Sequence, residues 1–218
     1  MKSSVEKAFD FLNKVCKDFE VIVVDDGSSD ATAGMLVKTD ATVVALPQNS
    51  GKGAAVRAGV AQAIGDYIFF TDADMPYSLD FIVQSKNHMH GCDVVCGKRI
   101  GDYPLFRSVA SAAYNGIAQS MLKTSVDDLQ CGIKGFTKSA AKKIFRVCKI
   151  DGFAFDTEVI FLARQMGLCI KQLNVNMHHQ GNSKVKLVSD SIEMFRDVIK
   201  IKNNFKAGEY NLLQSFPR

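Results

Sequence analysis

The chain has 218 residues, with Lys+Arg 27 against Asp+Glu 23, 47% hydrophobic and 23% charged. These fractions belong to an ordinary folded domain with an ample core and exclude a mostly disordered chain. A formal net charge of +4 is too mild to argue for nucleic acid, and six cysteines without a C-x-x-C pair read as reduced thiols rather than a disulfide framework.

No run reaches the ~18 uncharged apolar residues needed to span a bilayer. The nearest, 108–122, is interrupted by Asn115 and Gln119, and the opening MKSSVEKAFD lacks an apolar signal core. The expectation is a soluble chain, attached at most to a membrane surface.

Val5, Phe9, Leu12 and Cys16 recur at helical spacing, so residues 4–17 predict a first amphipathic helix. VIVV at 21–24 is a short β-branched run ending in DDGSSD, a buried strand followed by a turn. Ser28, Ser29 or Asp30 can cap a following helix, ATAGMLVK. ATVVAL (41–46) is a second strand, PQNSGKG a loop, GAAVRAGVAQAIG a small-residue helix and YIFF (67–70) a third strand running into TDAD. A helix from Ser78, a strand at 93–97 and a long helix over 105–122 follow. Strand–helix alternation of this kind predicts an α/β layer with a mostly parallel sheet, whose ligands sit beyond the carboxyl ends of the strands. Asp25-Asp26 and Asp72/Asp74 both fall at such ends.

The glycines of NSGKGAAVRAG do not make a Walker loop, since Leu46 stands where the leading Gly belongs and Gly53 where Ser or Thr is required. Val56 likewise breaks a dinucleotide fingerprint. What survives is looser: Gly51 and Gly53 permit close backbone approach, beside the charges of Lys52 and Arg57. Thr71-Asp72-Ala73-Asp74 is sharper. In extended backbone i and i+2 share a side, so the two carboxylates converge, which a hard divalent ion such as Mg²⁺ or Mn²⁺ relieves. The competing reading is a polar turn ahead of the Ser78 helix.

Five blocks now carry a resemblance: VVDDGSSDATAGML, QNSGKGAAVRAGVAQAIGDYIFFTDADMPYSLDFI, DVVCGKR, DLQCGIKGFTKSAAKKIF and FAFDTEVIFLARQMGL. In this order they resemble a family-2 glycosyltransferase of the GT-A fold, on the polyprenyl-phosphate side of that family, where dolichyl-phosphate glucose and mannose synthases stand. The resemblance runs from about residue 4 to 210. It implies that Asp25 or Asp26 contacts the nucleotide base, that Lys52 lies near the nucleotide, that Asp72 faces ribose or metal, and that Asp74 binds the metal holding the diphosphate. It implies further that Arg99, Arg107 and Ser111 grip an acceptor phosphate, with Asp128 and Gln130 at the acceptor end, and that Lys184 belongs to a loop closing on the diphosphate. A glutamine ligand found in some relatives is replaced here by Pro76. The family also opens with a strand ending in P-x-x-N-E inside the sheet, whereas Met1 stands at the helix that should follow it.

The resulting expectation is a metal-dependent, inverting transfer of a hexose, glucose first, from UDP-glucose or GDP-mannose to a polyprenyl phosphate, dolichyl or undecaprenyl. Asp74, Asp128 and Arg99 are its catalytic candidates. Asp128 could orient the acceptor or take a residual proton. Three rivals stand beside this reading: a soluble transferase acting on a sugar or protein hydroxyl, a non-catalytic nucleotide-sugar binder, and a nucleotidyltransferase, which lacks its glycine-rich N-terminal loop. His178-His179 reads as a loop pair or a diphosphate contact, Asp156 and Glu158 as structural ion pairs or acceptor-site groups, and Cys92 and Cys96 as core.

The expected organisation is a GT-A domain over 1–183 and a C-terminal helix and tail over 184–218. Six bases (Lys184, Lys186, Arg196, Lys200, Lys202, Lys206) against Asp190, Glu193 and Asp197 give residues 184–206 a net +3 of the formal +4. Val188, Ile192, Phe195 and Ile199 form a stripe there, widened by Leu187, Val198 and Phe205. Such a helix suits the headgroup layer on the cytoplasmic face of a membrane (endoplasmic reticulum in a eukaryote, plasma membrane in a prokaryote), or else packs on the sheet.

Overall fold

The computed structural model describes residues 2–28, 40–101, 105–177 and 187–211, with the side chains of residue 2, 105–110 and 187–191 left out. In chain order the elements are α1 (Lys2–Val15), β1 (Ile22–Asp25), β2 (Thr42–Ala45), α2 (Lys52–Gln62), β3 (Tyr67–Phe70), α3 (Asp80–His88) and β4 (Val94–Ile100). Then come α4 (Leu105–Leu122), β5 (Lys134–Thr137), α5 (Lys138–Phe145), α6 (Phe155–Gln165), β6 (Ile170–Asn176) and α7 (Leu187–Lys206). The expected helix ATAGMLVK and the pair His178-His179 lie outside the described residues. The helix expected from Ser78 begins at Asp80, whose amide donates to the Ser78 hydroxyl at 3.2 Å.

The strands form two sheets among the described residues. β1 and β2 pair in parallel, and four more strands follow the order β3-β5-β4-β6. β5 runs antiparallel to both neighbours while β4 and β6 are parallel, so β3, β4 and β6 share one direction. β1 therefore pairs only with β2, and β3 only with β5. The Glu20 carboxylate nevertheless ties the entry of β1 to that of β3, accepting from the amides of Ile64 at 2.8 Å and Gly65 at 2.9 Å.

The pleat of β4 distributes the core. Val94 and Cys96 face one layer with Tyr114, Ala118, Ile144, Phe155, Ile160 and Val198, whereas Val95 faces Phe81, Met89 and Ile133 on the other. Helices thus cover both faces of the larger sheet. Four rings, Phe70, Phe136, Phe145 and Phe155, pack at centroid distances of 5.3–6.4 Å where β3, β5, α5 and α6 meet. Burying each such ring contributes roughly 1.5–3 kcal/mol. The Thr137 hydroxyl caps α5 by accepting from the Ala140 amide at 3.3 Å, which fixes the turn from β5 into that helix.

Within the described residues no helix is long and apolar enough to cross a membrane. α7 packs Met194, Val198 and Ile201 into the core, sets Phe195 against Tyr114 at 5.6 Å and Phe205 against Phe161 at 5.2 Å, and leaves Ile192 50% and Ile199 49% exposed. Val198, placed by periodicity on the membrane-facing stripe, therefore belongs to the face that packs on the protein, while Phe205 touches Phe161 and remains 37% exposed.

Candidate active site

The carboxyl ends of β1, β3 and β4 each deliver a charged loop. At the end of β1 the Asp26 carboxylate accepts from the amides of Ser50 at 2.7 Å and Gly51 at 2.9 Å, binding the DDG turn to the glycine loop. Asp25 is 5% exposed and accepts from the Ser28 amide at 3.1 Å. Both aspartates expected to meet a nucleotide base are thus engaged by backbone amides. The glycine loop sits flush against the segment before α6: Gly51 has φ +96°, and the Gly53 amide donates to the Asp151 carbonyl at 2.6 Å. A Cβ at Gly53 would collide with the Ile150 carbonyl and the Phe155 side chain, so the loop requires glycine there.

This loop launches Lys52 into a ladder of alternating charge. Its ammonium lies 2.9 Å from Asp72 and 2.9 Å from Asp156, and Asp156 in turn receives the fully buried Lys134 at 2.5 Å. Lys134 also donates to the Cys131 carbonyl at 2.6 Å and lies 5.6 Å from the centre of the Phe70 ring. Burial alone would lower the pKa of Lys52; the charges of Asp156 and Asp72 outweigh it and hold the lysine protonated well above its ordinary value.

Asp74 stands apart from that ladder, exposed on the turn closed by the Met75 amide donating to the Asp72 carbonyl at 2.9 Å. Met75 adopts φ +47°, an unusual conformation for a residue with a side chain, held between this turn and buried Pro76. Asp74, Met75 and Tyr77 face Ser4, Lys7 and Phe11 of α1 across a cleft of about 340 Å³. Asp74 offers a hard divalent ion oxygen donors on an open turn, whereas Asp72, expected to converge with it in extended backbone, is engaged by Lys52 and would join such an ion only by giving up part of that contact. No third His, Cys, Asp or Glu joins them among the described residues.

At the end of β4 the Arg99 guanidinium grips Asp128 with Nε at 2.7 Å and Nη2 at 2.8 Å, and reaches the Ser111 hydroxyl at 3.1 Å. The Arg99 amide donates to the same carboxylate at 3.1 Å. Burial would raise the Asp128 pKa, but the Arg99 hydrogen bonds and charge prevail and hold it below the ordinary carboxylate value. Asp128 is therefore held as the ion-pair partner of Arg99. Gln130 points toward Met194, with Nε2 3.6 Å from the sulfur. Arg107 lies on α4 with its side chain outside the described residues, and Lys184 is outside them entirely.

Tyr77 joins the two clusters. Its buried hydroxyl accepts from the Gly132 amide at 3.1 Å, and burial, aided by the charges of Cys131 and Asp72, pushes the phenol well up while Arg99 opposes. Gly132 is pressed against the Asp72 carboxylate so closely that no Cβ fits. Tyr77 and Lys134 were not singled out as site groups, while Asp156, read as a structural ion pair or an acceptor-site group, pairs with Lys134 and Lys52; the visible signal was a lysine inside the otherwise apolar CGIKGF, which demands a buried partner. Glu158 accepts from the amides of Lys149 at 3.0 Å and Ile150 at 2.9 Å and from the Tyr210 hydroxyl at 2.8 Å, so it is structural.

Residues 2–145 match the family model described as glycosyl transferase family 2. Over 97% of the chain it is 28% identical to a dolichyl-phosphate beta-glucosyltransferase of Dictyostelium discoideum and 26% identical to the one of Homo sapiens, covering 72% and 73% of those proteins. Among solved structures, glucosyl-3-phosphoglycerate synthase from Mycobacterium tuberculosis, in complex with Mn²⁺, UDP and glucosyl-3-phosphoglycerate, superposes with TM-score 0.71 over 93% of this chain and 76% of that one. At 18% identity that likeness concerns the fold, the GT-A architecture expected from the motifs.

Proposed function

Because the chain belongs to glycosyl transferase family 2, we infer that it transfers a hexose, glucose first, from a nucleotide diphosphate sugar to a polyprenyl phosphate with inversion. Relatives named for dolichyl-phosphate glucosylation, matching nearly the whole chain, support that choice of sugar and acceptor.

One observation carries the phosphate acceptor: Asp128 is bound at both oxygens by Arg99. A hydroxyl acceptor needs a free base to remove its proton, and Asp128 does not provide one. A phosphate acceptor is already anionic near neutral pH and needs positioning instead, which a guanidinium braced by Asp128 and Ser111 supplies. The acceptor phosphate exchanges for part of the Asp128 contact, and its oxygen approaches the anomeric carbon from the face opposite the departing diphosphate. On the donor side Lys52, held between Asp156 and Asp72, would place its ammonium beside the nucleotide. A divalent ion, Mg²⁺ or Mn²⁺, held through Asp74 and Asp72 would supply the charge that neutralises the leaving diphosphate.

The test uses the purified chain with Mn²⁺, a panel of labelled UDP- and GDP-sugars and a polyprenyl phosphate in detergent. Labelled lipid from UDP-glucose is the expected product. Asp74→Asn should lower its formation at least about a hundredfold with an unchanged melting curve, since an exposed metal ligand contributes to rate rather than to packing. Transfer to a sugar or peptide hydroxyl in preference to the lipid would overturn the acceptor assignment. The interruption between β1 and β3 favours one alternative, a nucleotide-sugar binder without turnover. It would show saturable UDP-sugar binding with no product from any pairing.

A further inference from the structure

At the opposite end of the larger sheet two thiols meet. Cys92 ends the turn after α3, its amide donating to the His88 carbonyl at 3.0 Å, and Cys169 leads into β6. The amides of Asp93 and Val94 both donate to the Cys169 carbonyl at 3.0 Å, and the Cys169 amide donates to the Asp93 carboxylate at 2.9 Å. This clamp precedes the parallel register that opens at Val94↔Ile170 and brings Cys92 and Cys169 together at the entry of neighbouring strands. Cys169 is exposed and Cys92 half-buried, whereas Cys96, Cys131 and Cys148 are buried. Hydrogen bonding between the two side chains is the largest influence on Cys92, pushing it up to about 11, with burial next.

We propose that Cys92 and Cys169 form a redox modification site, a dithiol oxidised to a disulfide by low-molecular-weight disulfides of the glutathione class. The exposed Cys169 attacks first: its thiolate forms a bond to one sulfur of the small disulfide, and the other sulfur leaves as a thiolate that takes up the proton Cys169 gave. Capping Cys169 removes the neighbour that held Cys92 protonated. Cys92 then loses its proton to water and attacks the Cys169 sulfur, and the second small thiol departs, protonated. Two protein thiols are oxidised by two electrons and one small disulfide is reduced to two thiols. The bond would staple the outer strand β6 to β4. Arg99 lies five residues beyond Val94, roughly 17 Å further along the strand, so the staple is remote from the candidate active site.

The experiment incubates the full chain in a series of oxidised-to-reduced glutathione ratios and follows intact mass, peptide maps and melting temperature. The expected product is two hydrogens lighter, contains a linked 92–169 peptide, and melts about 5 °C or more above the reduced form, because the closed loop constrains the unfolded chain. Cys92→Ser should stop at a persistent glutathionyl adduct on Cys169 with no such gain. If the unmodified sequence accumulates that same adduct, links Cys169 to a different cysteine, or keeps all its thiols across the series, the proposal is overturned.

Discussion

At Asp156 one buried carboxylate holds two lysines in place, Lys134 from β5 and Lys52 from the glycine loop, and through Lys52 it reaches Asp72. Such a ladder offers no large net gain over an apolar core, but removing one member strands its partners at roughly 3–5 kcal/mol, so it fixes the direction of Lys52. The Arg99–Asp128 pair works the same way and makes stability depend on pH. Asp128 has a folded pKa below its ordinary 3.8, so its contribution is complete above that value and disappears as pH falls through the lower, folded one. Asp128→Asn is expected to melt well below the unsubstituted protein near neutral pH, the gap narrowing below about pH 4 as the unfolded chain's carboxyl takes up its proton and closing only as pH falls through the lower, folded value. Melting curves of both proteins between about pH 3 and pH 7 test this, and a constant gap would contradict it. The acidic strand ends were readable from sequence, because Asp72 and Asp74 follow a strand as apolar as YIFF. The pairing of Arg99 with Asp128 was not, since the two residues are distant along the chain and only the fold, which returns the segment after α4 to the end of β4, brings them together.

Elements were legible wherever periodicity and punctuation agreed. YIFF and the 105–122 helix coincide with β3 and α4, and the β4 strand runs three residues past its expected end because β6 pairs with it as far as Ile100↔Asn176. α7 shows where periodicity stops. A helix with apolar residues on more than half its circumference does not declare which stripe turns inward. Here Met194, Val198 and Ile201 are buried against the helices and sheet, and among the described residues Ile192, Ile199 and, further along, Phe205 stay exposed, the first two flanked by exposed Arg196 and Lys200. This narrower stripe is the part of α7 that can enter a headgroup layer. We therefore expect the chain to co-float with anionic liposomes at low salt, and Ile192→Glu with Ile199→Glu to release it while the melting temperature stays within about 2 °C. Phe195→Glu is a poor probe, since its ring packs on Tyr114 and the change would disturb the core. An unsubstituted chain that stays in the soluble fraction would return the helix to a purely structural role.

On the scale of the whole molecule, the two sheets meet at both ends without pairing between. Glu20 bridges to the amides of Ile64 and Gly65 at the entry, Lys52 reaches Asp72 at the exit, and yet β1 and β3 each keep one edge outside any ladder among the described residues. Backbone groups on such edges lack the partners that a continuous sheet would give, and Ile22, Val23 and Val24 stay half-buried despite being apolar. The same interruption borders the candidate nucleotide pocket, because Asp26 and Asp72 follow the two strands that flank it. A short apolar strand fused ahead of Met1 and ending in the family's P-x-x-N-E pattern should pair with both edges. Even three or four new ladder bonds, at about 1 kcal/mol each, would raise the melting temperature by several degrees. UDP affinity should rise with it, since Asp26 and Lys52 would then be held in one continuous frame. Calorimetric titration with UDP and a thermal melt of the fused and unfused chains give both readouts. Equal melting temperatures and equal affinities would mean that contacts already in this chain, Glu20 to the 64–65 turn among them, do the work of the inserted strand.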